Sequence, residues 1–346
     1  MRKISSAAIF LLVACGADDD PSGTLDAGEP SDSAADRVVD GESGPRDAGD
    51  SAVDASSCLA PGNYDYEVEV DGVAHSFGLH VPSGMVRSAV PLVIQLHGGG
   101  SNGTALDRVT GLTALADDEG FLVMTPNGFD IGGGRRVWNA GACCGPRGVT
   151  LPDHVAAISA MIDRAGTEGA CLDSARIFAT GHSNGGMMTY RLACELSERI
   201  AAIAVSAGTM ADQDASLTPP TIYPCAPAAP VPVLHVHGLE DLCVMYDGGE
   251  SAGSQNRVLA DIESVIERWR QINRCGADAT ESVDGPVRRR TWLCDRSTVE
   301  LIAVEGLGHP WGGSPIYGSA DTCGGTTTTA VSTTEELWRF FSALPP

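Results

Sequence analysis

The sequence predicts an α/β fold, in which a mostly parallel central sheet is flanked by helices on both faces. Short apolar segments alternate along the chain with longer amphipathic ones, as strands alternate with helices in such folds. Some strands, such as Pro91–Leu96, are apolar almost throughout, as expected when helices cover both faces of a parallel sheet. The chain has 346 residues, of which 43% are hydrophobic. This is enough for one large domain, and we find neither an internal repeat nor a second domain.

Residues 1–15 predict an export signal. A short positive region precedes the apolar run Ile4–Val13, and small residues then lead to Cys15. This layout indicates a lipoprotein-type signal, in which Cys15 is acylated and becomes the mature N-terminus. An ordinary secretory cleavage or a short membrane anchor is the alternative, although the run is shorter than a bilayer crossing needs. We expect an exported protein, either extracellular or lipid-anchored at the bacterial outer membrane or cell surface.

Residues 16–57 predict a disordered acidic linker. The segment is rich in Asp, Ala, Gly, Ser and Pro, so it lacks the apolar surface that folding requires. Its acidic residues far outnumber Arg37 and Arg46, and their mutual repulsion extends the chain. We interpret the segment as a tether ahead of one folded domain at residues 58–346.

The charge of the chain limits its partners. The formal net charge is −23 at pH 7. Nucleic acid and anionic membrane surfaces are therefore not expected as partners, since phosphate binding needs basic patches. We expect a monomer that meets the membrane only through its N-terminal lipid.

The cysteines predict disulfides. Apart from Cys15 they form an even set, which in an exported protein favours pairing. A zinc site is the alternative, but the vicinal pair Cys143–Cys144 has no Cys-x-x-Cys spacing, and we predict no metal. Cys275 with Cys294 is the best single pairing, because the sequence between them indicates a loop followed by a returning strand. The other pairings stay open.

The folded domain is predicted to begin near Cys58 with a hairpin around Asp71-Gly72. The other elements follow from apolar runs and amphipathic segments. The predicted strands are Tyr64–Val70, His75–Pro82, Pro91–Leu96, Phe121–Thr125, Ile177–Ala179, Ile200–Ala207, Pro232–Val236, Arg288–Leu293 and Val299–Val304. The predicted helices are Thr104–Glu119, Val155–Arg164 with Asp153 as N-cap, a helix after Gly185, Arg257–Ile272 and Thr334–Ala343.

One stretch, Gly181-His182-Ser183-Asn184-Gly185, carries the predicted chemistry. Gly-x-Ser-x-Gly between a strand and a helix predicts a nucleophile elbow, in which the serine lies on a strained turn at the carboxyl edge of the sheet. The glycines avoid collisions at so sharp a turn. The alternative is a glycine-rich turn that happens to hold a serine.

A serine hydroxyl becomes nucleophilic when a base takes its proton. In the α/β-hydrolase fold the acid and the histidine follow the serine in that order, on loops after later strands. Asp241 and His309 stand at such positions, so we predict the triad Ser183, Asp241 and His309. Glu240 and Asp247 are alternatives for the acid, otherwise explained as surface charges. The remaining histidines near the sheet edge are interpreted as packing or hydrogen-bonding residues: His97, His182, His235 and His237.

Two backbone N–H groups are predicted to form an oxyanion hole. One comes from Asn184, directly after the nucleophile, and the other from Gly99 in the run His97-Gly-Gly-Gly100. A plain strand-to-helix turn is the alternative for this run. Chemistry of this kind needs no cofactor.

Five motifs occur in one order between about Tyr64 and Trp311. They are Leu96-His-Gly-Gly-Gly, Trp138-Asn-Ala-Gly with Cys143-Cys144, Gly181-His-Ser-Asn-Gly-Gly-Met-Met, His237-Gly-x-x-Asp241-x-x-Val244-x-Tyr246-x-Gly-Gly, and Gly308-His309-x-Trp311. Together they resemble the esterase family of polyhydroxybutyrate depolymerases and bacterial feruloyl and acetylxylan esterases, similar to carbohydrate esterase family 1. The resemblance implies the α/β-hydrolase fold and the same triad.

The sequence departs from the family pattern at the substrate rim. Met245 stands where the family usually has proline, and Gly312 follows Trp311 where the family often has proline. Cys243, close to the acid, is expected to tie its loop to Cys225 or Cys323. These departures affect the choice of substrate more than the type of reaction.

The resemblance implies a serine esterase that forms an acyl-enzyme on small or polymeric esters, with feruloyl or acetyl esters of plant polysaccharide as the expected substrates. A polyhydroxyalkanoate is the alternative substrate, and a serine peptidase or a non-catalytic binding protein is a more distant alternative. Trp311, Trp138 and Tyr246 are candidates for an aromatic substrate groove. Packing in the core or at the rim is the alternative for these rings.

Overall fold

A ten-stranded sheet organises the folded part of the chain. The computed structural model describes residues 58–84, 88–141, 150–210, 225–251, 257–316, 323 and 326–345. The predictions for residues 1–57 and for Cys143–Cys144 lie outside these ranges.

The strands of the large sheet are β1 (Gly62–Val70), β2 (Val73–Val81), β3 (Val90–Leu96), β4 (Leu122–Pro126), β7 (Leu172–His182), β8 (Ala202–Ser206), β9 (Val233–Gly238), β12 (Thr280–Asp284), β13 (Val287–Leu293) and β14 (Thr298–Val304). Two small hairpins pair β5 (Phe129–Asp130) with β6 (Arg136–Val137), and β10 (Gly249–Ser251) with β11 (Arg257–Leu259). The large sheet has the order β1-β2-β4-β3-β7-β8-β9-β14-β13-β12. The strands from β4 to β14 in this order run parallel, and antiparallel hairpins extend both ends.

Helices cover both faces of the sheet. They are α1 (Gly103–Thr110), α2 (Leu112–Glu119), α3 (His154–Thr167), α4 (Asn184–Glu195), α5 (Ile262–Ile272) and α6 (Thr333–Ser342). Successive side chains of a strand point to opposite faces. Accordingly, Leu92 and Ile94 of β3 join a core cluster with residues of α3, α4 and α5, whereas Val93 joins a second cluster with residues of α2 and α6. The predicted fold class is confirmed.

Two predicted helices have different boundaries in the structure. The segment predicted as one helix at 104–119 divides at Gly111, which has φ 64° and closes α1 by donating its N–H to the Asp107 carbonyl. The helix predicted from Arg257 begins only at Ile262, because Asp261 caps it by accepting the Ser264 N–H and the residues before it form β11. The predicted Asp153 cap of α3 is confirmed.

Four disulfides lie among the described residues: Cys58–Cys171, Cys194–Cys225, Cys243–Cys323 and Cys275–Cys294. The predicted Cys275–Cys294 pair is confirmed. Of the two partners considered for Cys243, the structure has Cys323. None of the helices in the described part of the chain combines the length and apolar character that a bilayer crossing requires.

Candidate active site

The carboxyl ends of neighbouring parallel strands bring the predicted triad residues to one edge of the sheet. Ser183 follows β7, Asp241 follows β9 and His309 follows β14. Strands β7, β8, β9 and β14 are consecutive and parallel in the sheet. Side chains from distant parts of the sequence therefore meet in the crevice where α/β folds bind ligands.

Ser183 lies on the sharp turn between β7 and α4. Its backbone has φ 55° and ψ −120°, a conformation that non-glycine residues adopt only under strain. Neighbouring hydrogen bonds hold it there: the Ser183 N–H donates to the Ser206 carbonyl at 3.0 Å, and its own carbonyl accepts the Met187 N–H at 2.9 Å. Ser183, the predicted nucleophile, thus lies on a fixed, strained backbone.

The glycines of the elbow are required by close backbone approach. A Cβ added at Gly181 would lie 2.3 Å from the Gly185 carbonyl oxygen, and one added at Gly185 would lie 2.0 Å from the Leu96 carbonyl oxygen. Both distances are too short for real Cβ atoms, so β7, α4 and the end of β3 can meet here only with glycine at these positions.

Asp241 and His309 form a buried hydrogen-bonded pair. His309 Nδ1 lies 2.8 Å from Asp241 Oδ2, while Oδ1 accepts the backbone N–H groups of Cys243 and Val244, each at 2.8 Å. Burial raises the pKa of Asp241, but hydrogen bonds from His237 and His309 outweigh it and hold that pKa well below its usual range. The charged carboxylate fixes the proton of His309 on Nδ1, which leaves Nε2 to act as a base.

His309 lies beside the elbow. The centroid of its ring is 4.9 Å from that of His182, the residue before Ser183. The loop of His309 packs tightly on the loop after β9 that carries Asp241, which we call the acid loop. A Cβ at Gly238 would lie 2.1 Å from the Leu307 carbonyl oxygen, and this oxygen accepts the Glu240 N–H. The alternative acids Glu240 and Asp247 are both exposed, and the structure brings Asp241 to the histidine instead.

The His97–Gly100 turn lies directly on the elbow. A Cβ at Gly98 would be 3.5 Å from Ser183 Cβ. The Gly98 carbonyl is held by His97 Nδ1 at 2.8 Å and by the Ser101 N–H at 3.2 Å. A trans peptide points its N–H and its carbonyl in opposite directions. The Gly99 N–H therefore points away from the His97 ring, in a fixed orientation.

His97 can hold this turn because it is neutral. Its Nε2 accepts the Gly128 N–H at 3.0 Å, so the single ring proton is assigned to Nδ1, where it donates to the Gly98 carbonyl. Burial lowers the pKa of His97 to about 4. The expectation that His97 packs or hydrogen bonds beside the sheet is therefore correct, and the bond it makes orients the predicted oxyanion donor.

Asn184, whose backbone N–H is the other predicted oxyanion donor, is linked to the His97–Gly100 turn by its side chain. Its side-chain Oδ1 accepts the Trp138 N–H at 2.7 Å, and Trp138 Nε1 donates to the His97 carbonyl at 2.8 Å. Asn184 is also the first residue of α4, where backbone N–H groups point out of the helix end. Sequence reasoning assigned Asn184 only its backbone N–H and did not identify the side-chain link to Trp138.

The two tryptophans do not line an open groove, which corrects the prediction for both. Trp138 is 0% exposed and packs against His97 and His154. Trp311 is 1% exposed, and its Nε1 donates to Thr334 Oγ1 at 3.0 Å. Each ring fills space next to a motif residue, and this packing accounts for their place in the motifs.

Tyr246 is the one predicted groove residue that remains partly exposed. Its hydroxyl donates to the Glu263 carboxylate, and Arg290 lies beside both. It borders a surface groove of about 530 Å³ that Leu239 and Arg288 also line. Among the described residues, no cluster of His, Cys, Asp and Glu is arranged to bind a metal ion.

Two replacements of His97 should distinguish the effect of its hydrogen bond to the Gly98 carbonyl from that of its hydrogen bond to the Gly128 N–H. His97→Leu loses the bond to the Gly98 carbonyl, and kcat should fall by about 10²-fold, since one oxyanion donor typically contributes about 10²–10³-fold. In His97→Asn the side-chain amide can still donate to that carbonyl, although the Gly128 bond is lost in both variants. Steady-state kinetics on p-nitrophenyl acetate should therefore show Asn well above Leu. Equal activity of the two variants would contradict this role.

The buried histidines predict loss of stability in acid. Burial lowers the pKa of His154 to about 3, and burial together with the nearby His309 lowers the pKa of His182 to about 3, as burial lowers that of His97 to about 4. In the unfolded chain each of these three histidines has a pKa of about 6.5. The unfolded chain therefore binds more protons below pH 6.5. Above about pH 6.5 the protein has its full free energy of unfolding. As the pH falls from about 6.5 towards 4, that free energy should decrease by up to about 1.4 kcal/mol per pH unit for each histidine.

Urea titrations at pH 7, 6 and 5 measure this loss. His154→Asn keeps an acceptor for the Asn139 N–H, which His154 Nδ1 accepts in the structure, but has no proton to gain. Its free energy of unfolding should change less with pH than that of the parent. An identical pH dependence for both proteins would refute the assignment.

Comparisons with known proteins agree with the geometry. The profile of the family described as "Esterase PHB depolymerase" matches residues 75–218. The chain is 29% identical over 235 residues to feruloyl esterase B of Piromyces equi, covering 67% of this chain and 42% of that protein. It is 26% identical over 254 residues to the bifunctional acetylxylan esterase/xylanase XynS20E of Neocallimastix patriciarum, covering 71% of this chain and 32% of that protein. The chain thus spans less than half the length of these two relatives.

A solved structure supports the fold. The acetyl xylan esterase from Aspergillus awamori superposes with a TM-score of 0.54 at 17% identity, covering 81% of this chain and 99% of that one. A structural match at such low sequence identity is evidence for the fold alone. The family match, in contrast, includes both the His97 turn and the Ser183 elbow. Residues 75–218 therefore match the family described as "Esterase PHB depolymerase", and the chain is similar to feruloyl and acetylxylan esterases.

Proposed function

We propose that the chain is an exported serine esterase that hydrolyses feruloyl or acetyl esters of plant polysaccharide through an acyl-enzyme. The observation that carries the proposal is the buried Asp241–His309 pair beside the elbow that presents Ser183. A base oriented by a carboxylate next to a strained serine is the arrangement that serine acyl transfer requires.

In the first half of the reaction, His309 Nε2 takes the proton of the Ser183 hydroxyl as its oxygen attacks the ester carbonyl. The carbonyl oxygen gains negative charge, which the N–H groups of Asn184 and Gly99 stabilise. His309 then gives its proton to the departing alcohol, and the acyl group stays on Ser183. The carboxylate of Asp241 stabilises the charged imidazole throughout this half.

In the second half, water replaces the alcohol. His309 takes a proton from the water, the resulting hydroxide attacks the acyl carbon, and the same two N–H groups stabilise the oxyanion. Collapse of this intermediate returns the proton to Ser183 and releases the acid. The ester bond is exchanged for an acid and an alcohol with no redox change, so no cofactor takes part.

The substrate class is supported by the relatives. Two relatives are named for activity on feruloyl and acetylxylan esters, and the family description names polyhydroxybutyrate. Polyhydroxyalkanoate is therefore the alternative substrate. The net charge of −23 favours neutral esters over anionic ones. We assign Tyr246 and its groove to the substrate side of the acid loop.

Export is supported by the four disulfides of the described residues, since such bonds persist in oxidising compartments. We further propose that Cys15 carries a lipid and that residues 16–57 tether the enzyme. Cells that express the chain should incorporate a fatty-acid analogue into it, and Cys15→Ala should abolish this labelling. Unchanged labelling would remove Cys15 from this role.

A substrate panel tests the proposal. The purified chain should hydrolyse p-nitrophenyl acetate and methyl ferulate, with weaker or no activity on a polyhydroxybutyrate film and none on a peptide amide. Preferential hydrolysis of the film would select the alternative substrate. Turnover of the peptide without turnover of any ester would reject the proposal.

A further inference from the structure

A chain of buried polar side chains lies beneath the acid loop and has no part in the mechanism given above. Tyr190 on α4 and His235 and His237 on β9 are all 0% exposed. The Tyr190 hydroxyl lies 2.6 Å from His235 Nδ1, and His235 Nε2 lies 2.9 Å from His237 Nδ1. Burying a polar group costs free energy unless it has a well-placed hydrogen-bond partner, so each of these three side chains depends on its neighbour in the chain.

The chain ends on the acid loop. His237 Nε2 lies 2.7 Å from the Val244 carbonyl oxygen and 3.4 Å from Asp241 Oδ2. The Val244 N–H, in turn, donates to Asp241 Oδ1 at 2.8 Å. Val244 is therefore held at its carbonyl by His237 and at its N–H by the catalytic carboxylate. The backbone of Val244 therefore links His237 to Asp241, whose other carboxylate oxygen contacts His309.

The partners assign every proton in the chain. A carbonyl oxygen can only accept, so His237 carries a proton on Nε2. The shorter contact of this nitrogen, at 2.7 Å, is to the Val244 carbonyl, and the longer one, at 3.4 Å, is to the Asp241 carboxylate, which also accepts. His237 Nδ1 must then accept from His235 Nε2, and His235 Nδ1 must accept from the Tyr190 hydroxyl. The Tyr190 hydroxyl, His235 Nε2 and His237 Nε2 therefore all donate in one direction, from α4 towards the acid loop.

We propose that Tyr190, His235 and His237 are positioning residues, whose one-directional hydrogen-bond chain fixes the acid loop and with it the orientation of Asp241 towards His309. The proposal rests on the proposed esterase function. Removal of the tyrosine hydroxyl leaves His235 Nδ1 without this donor. A compensating change of tautomer would bring two ring protons, or two lone pairs, face to face. The disturbance therefore reaches the acid loop.

The proton assignment is tested first on the unmodified protein. NMR with ¹⁵N-labelled histidine distinguishes a protonated ring nitrogen from one that carries a lone pair. For both His235 and His237, Nε2 should be protonated and Nδ1 should not. A proton on Nδ1 of either ring would overturn the proposal, and this result does not depend on any assay of activity.

Kinetics of three variants test the positioning role. Tyr190→Phe keeps the ring and removes one hydrogen bond, so kcat for methyl ferulate should fall about threefold to tenfold while KM changes less than about twofold. His237→Leu removes the bond to Val244 and should lower kcat by about 10²-fold. His237→Gln restores a donor near Nε2 and should recover part of that loss.

Thr110→Val is the matched control, because it also removes a buried hydroxyl, one that donates to Gln95 Oε1 at 2.9 Å. Its kcat should stay within about twofold of the parent, whatever its effect on the urea midpoint. Unchanged kcat in Tyr190→Phe, a loss confined to KM, or no recovery in His237→Gln would each overturn the proposal. An unmodified protein that hydrolyses no ester would instead reject the proposed function and leave the NMR result to decide the proton chain.

Discussion

Ser183→Ala is expected to lower kcat/KM on p-nitrophenyl acetate and methyl ferulate by about 10⁴-fold or more. The variant keeps the oxyanion donors and the Asp241–His309 pair but has no oxygen to form the acyl-enzyme. The remaining activity should be that of water attacking an ester bound beside the oxyanion donors. The backbone strain at residue 183 should persist, because alanine at φ 55° is no more favourable than serine.

Stopped-flow and steady-state assays measure the effect, with Ser159→Ala as the control. Ser159 lies on α3, where its hydroxyl accepts from Arg199 at 2.7 Å, and its loss should leave kcat/KM unchanged. The parent should show a burst of p-nitrophenol from acylation, and the Ser183 variant should show none. A Ser183→Ala protein that retains a tenth of the parent activity would exclude Ser183 as the nucleophile.

Asp241→Asn is expected to lower kcat by about 10⁴-fold with little change in KM. The asparagine oxygen can still accept the Cys243 and Val244 N–H groups, which bind Oδ1 in the parent at 2.8 Å. Its NH₂ group then faces His309 Nδ1 and donates to it. This drives the His309 proton to Nε2, so the ring loses the lone pair that accepts the proton of Ser183.

Glu240→Gln is the matched control, since it makes the same acid-to-amide change on the adjacent residue, where the side chain is exposed. It should keep kcat within about twofold of the parent. Circular dichroism and urea titration should show both variants folded. Comparable activity losses at the two positions would contradict the assignment of Asp241 as the acid.

The sequence was sufficient to predict the fold class and to place its functional loops. Apolar strands buried on both faces give a clear signal, and the elbow glycines are dictated by clashes that no other residue avoids. Asp241 could be chosen over Glu240 and Asp247 only from its place in a motif. In the structure the two alternatives are exposed, whereas Asp241 is buried against His309.

Other features depend on tertiary contacts that leave no local signal. Gly111 looks like a tolerated residue within one long amphipathic helix, but its positive φ divides the segment in two. Strand β12 is exposed at every residue and therefore lacks the alternation that marks a strand. Its place is set by pairing with β13 at the sheet edge.

The surroundings of the aromatic and histidine residues were also not predictable from the local sequence. Conspicuous tryptophans next to motif residues suggested a substrate groove, whereas Trp138 and Trp311 are buried. The direction in which a side chain points depends on which elements pack against it. The hydrogen bond between Tyr190 and His235 likewise joins α4 to β9 across 45 residues of sequence, and only coordinates bring these groups together.

The most direct measurement of the central claim is to locate a covalent adduct. The parent and a His309→Ala variant are treated with a p-nitrophenyl phosphonate, and the modified residue is identified by peptide mass spectrometry. The account predicts one adduct on Ser183 that abolishes ester hydrolysis and that forms much more slowly without His309. Loss of activity with Ser183 unmodified, or an adduct formed equally fast in His309→Ala, would contradict it.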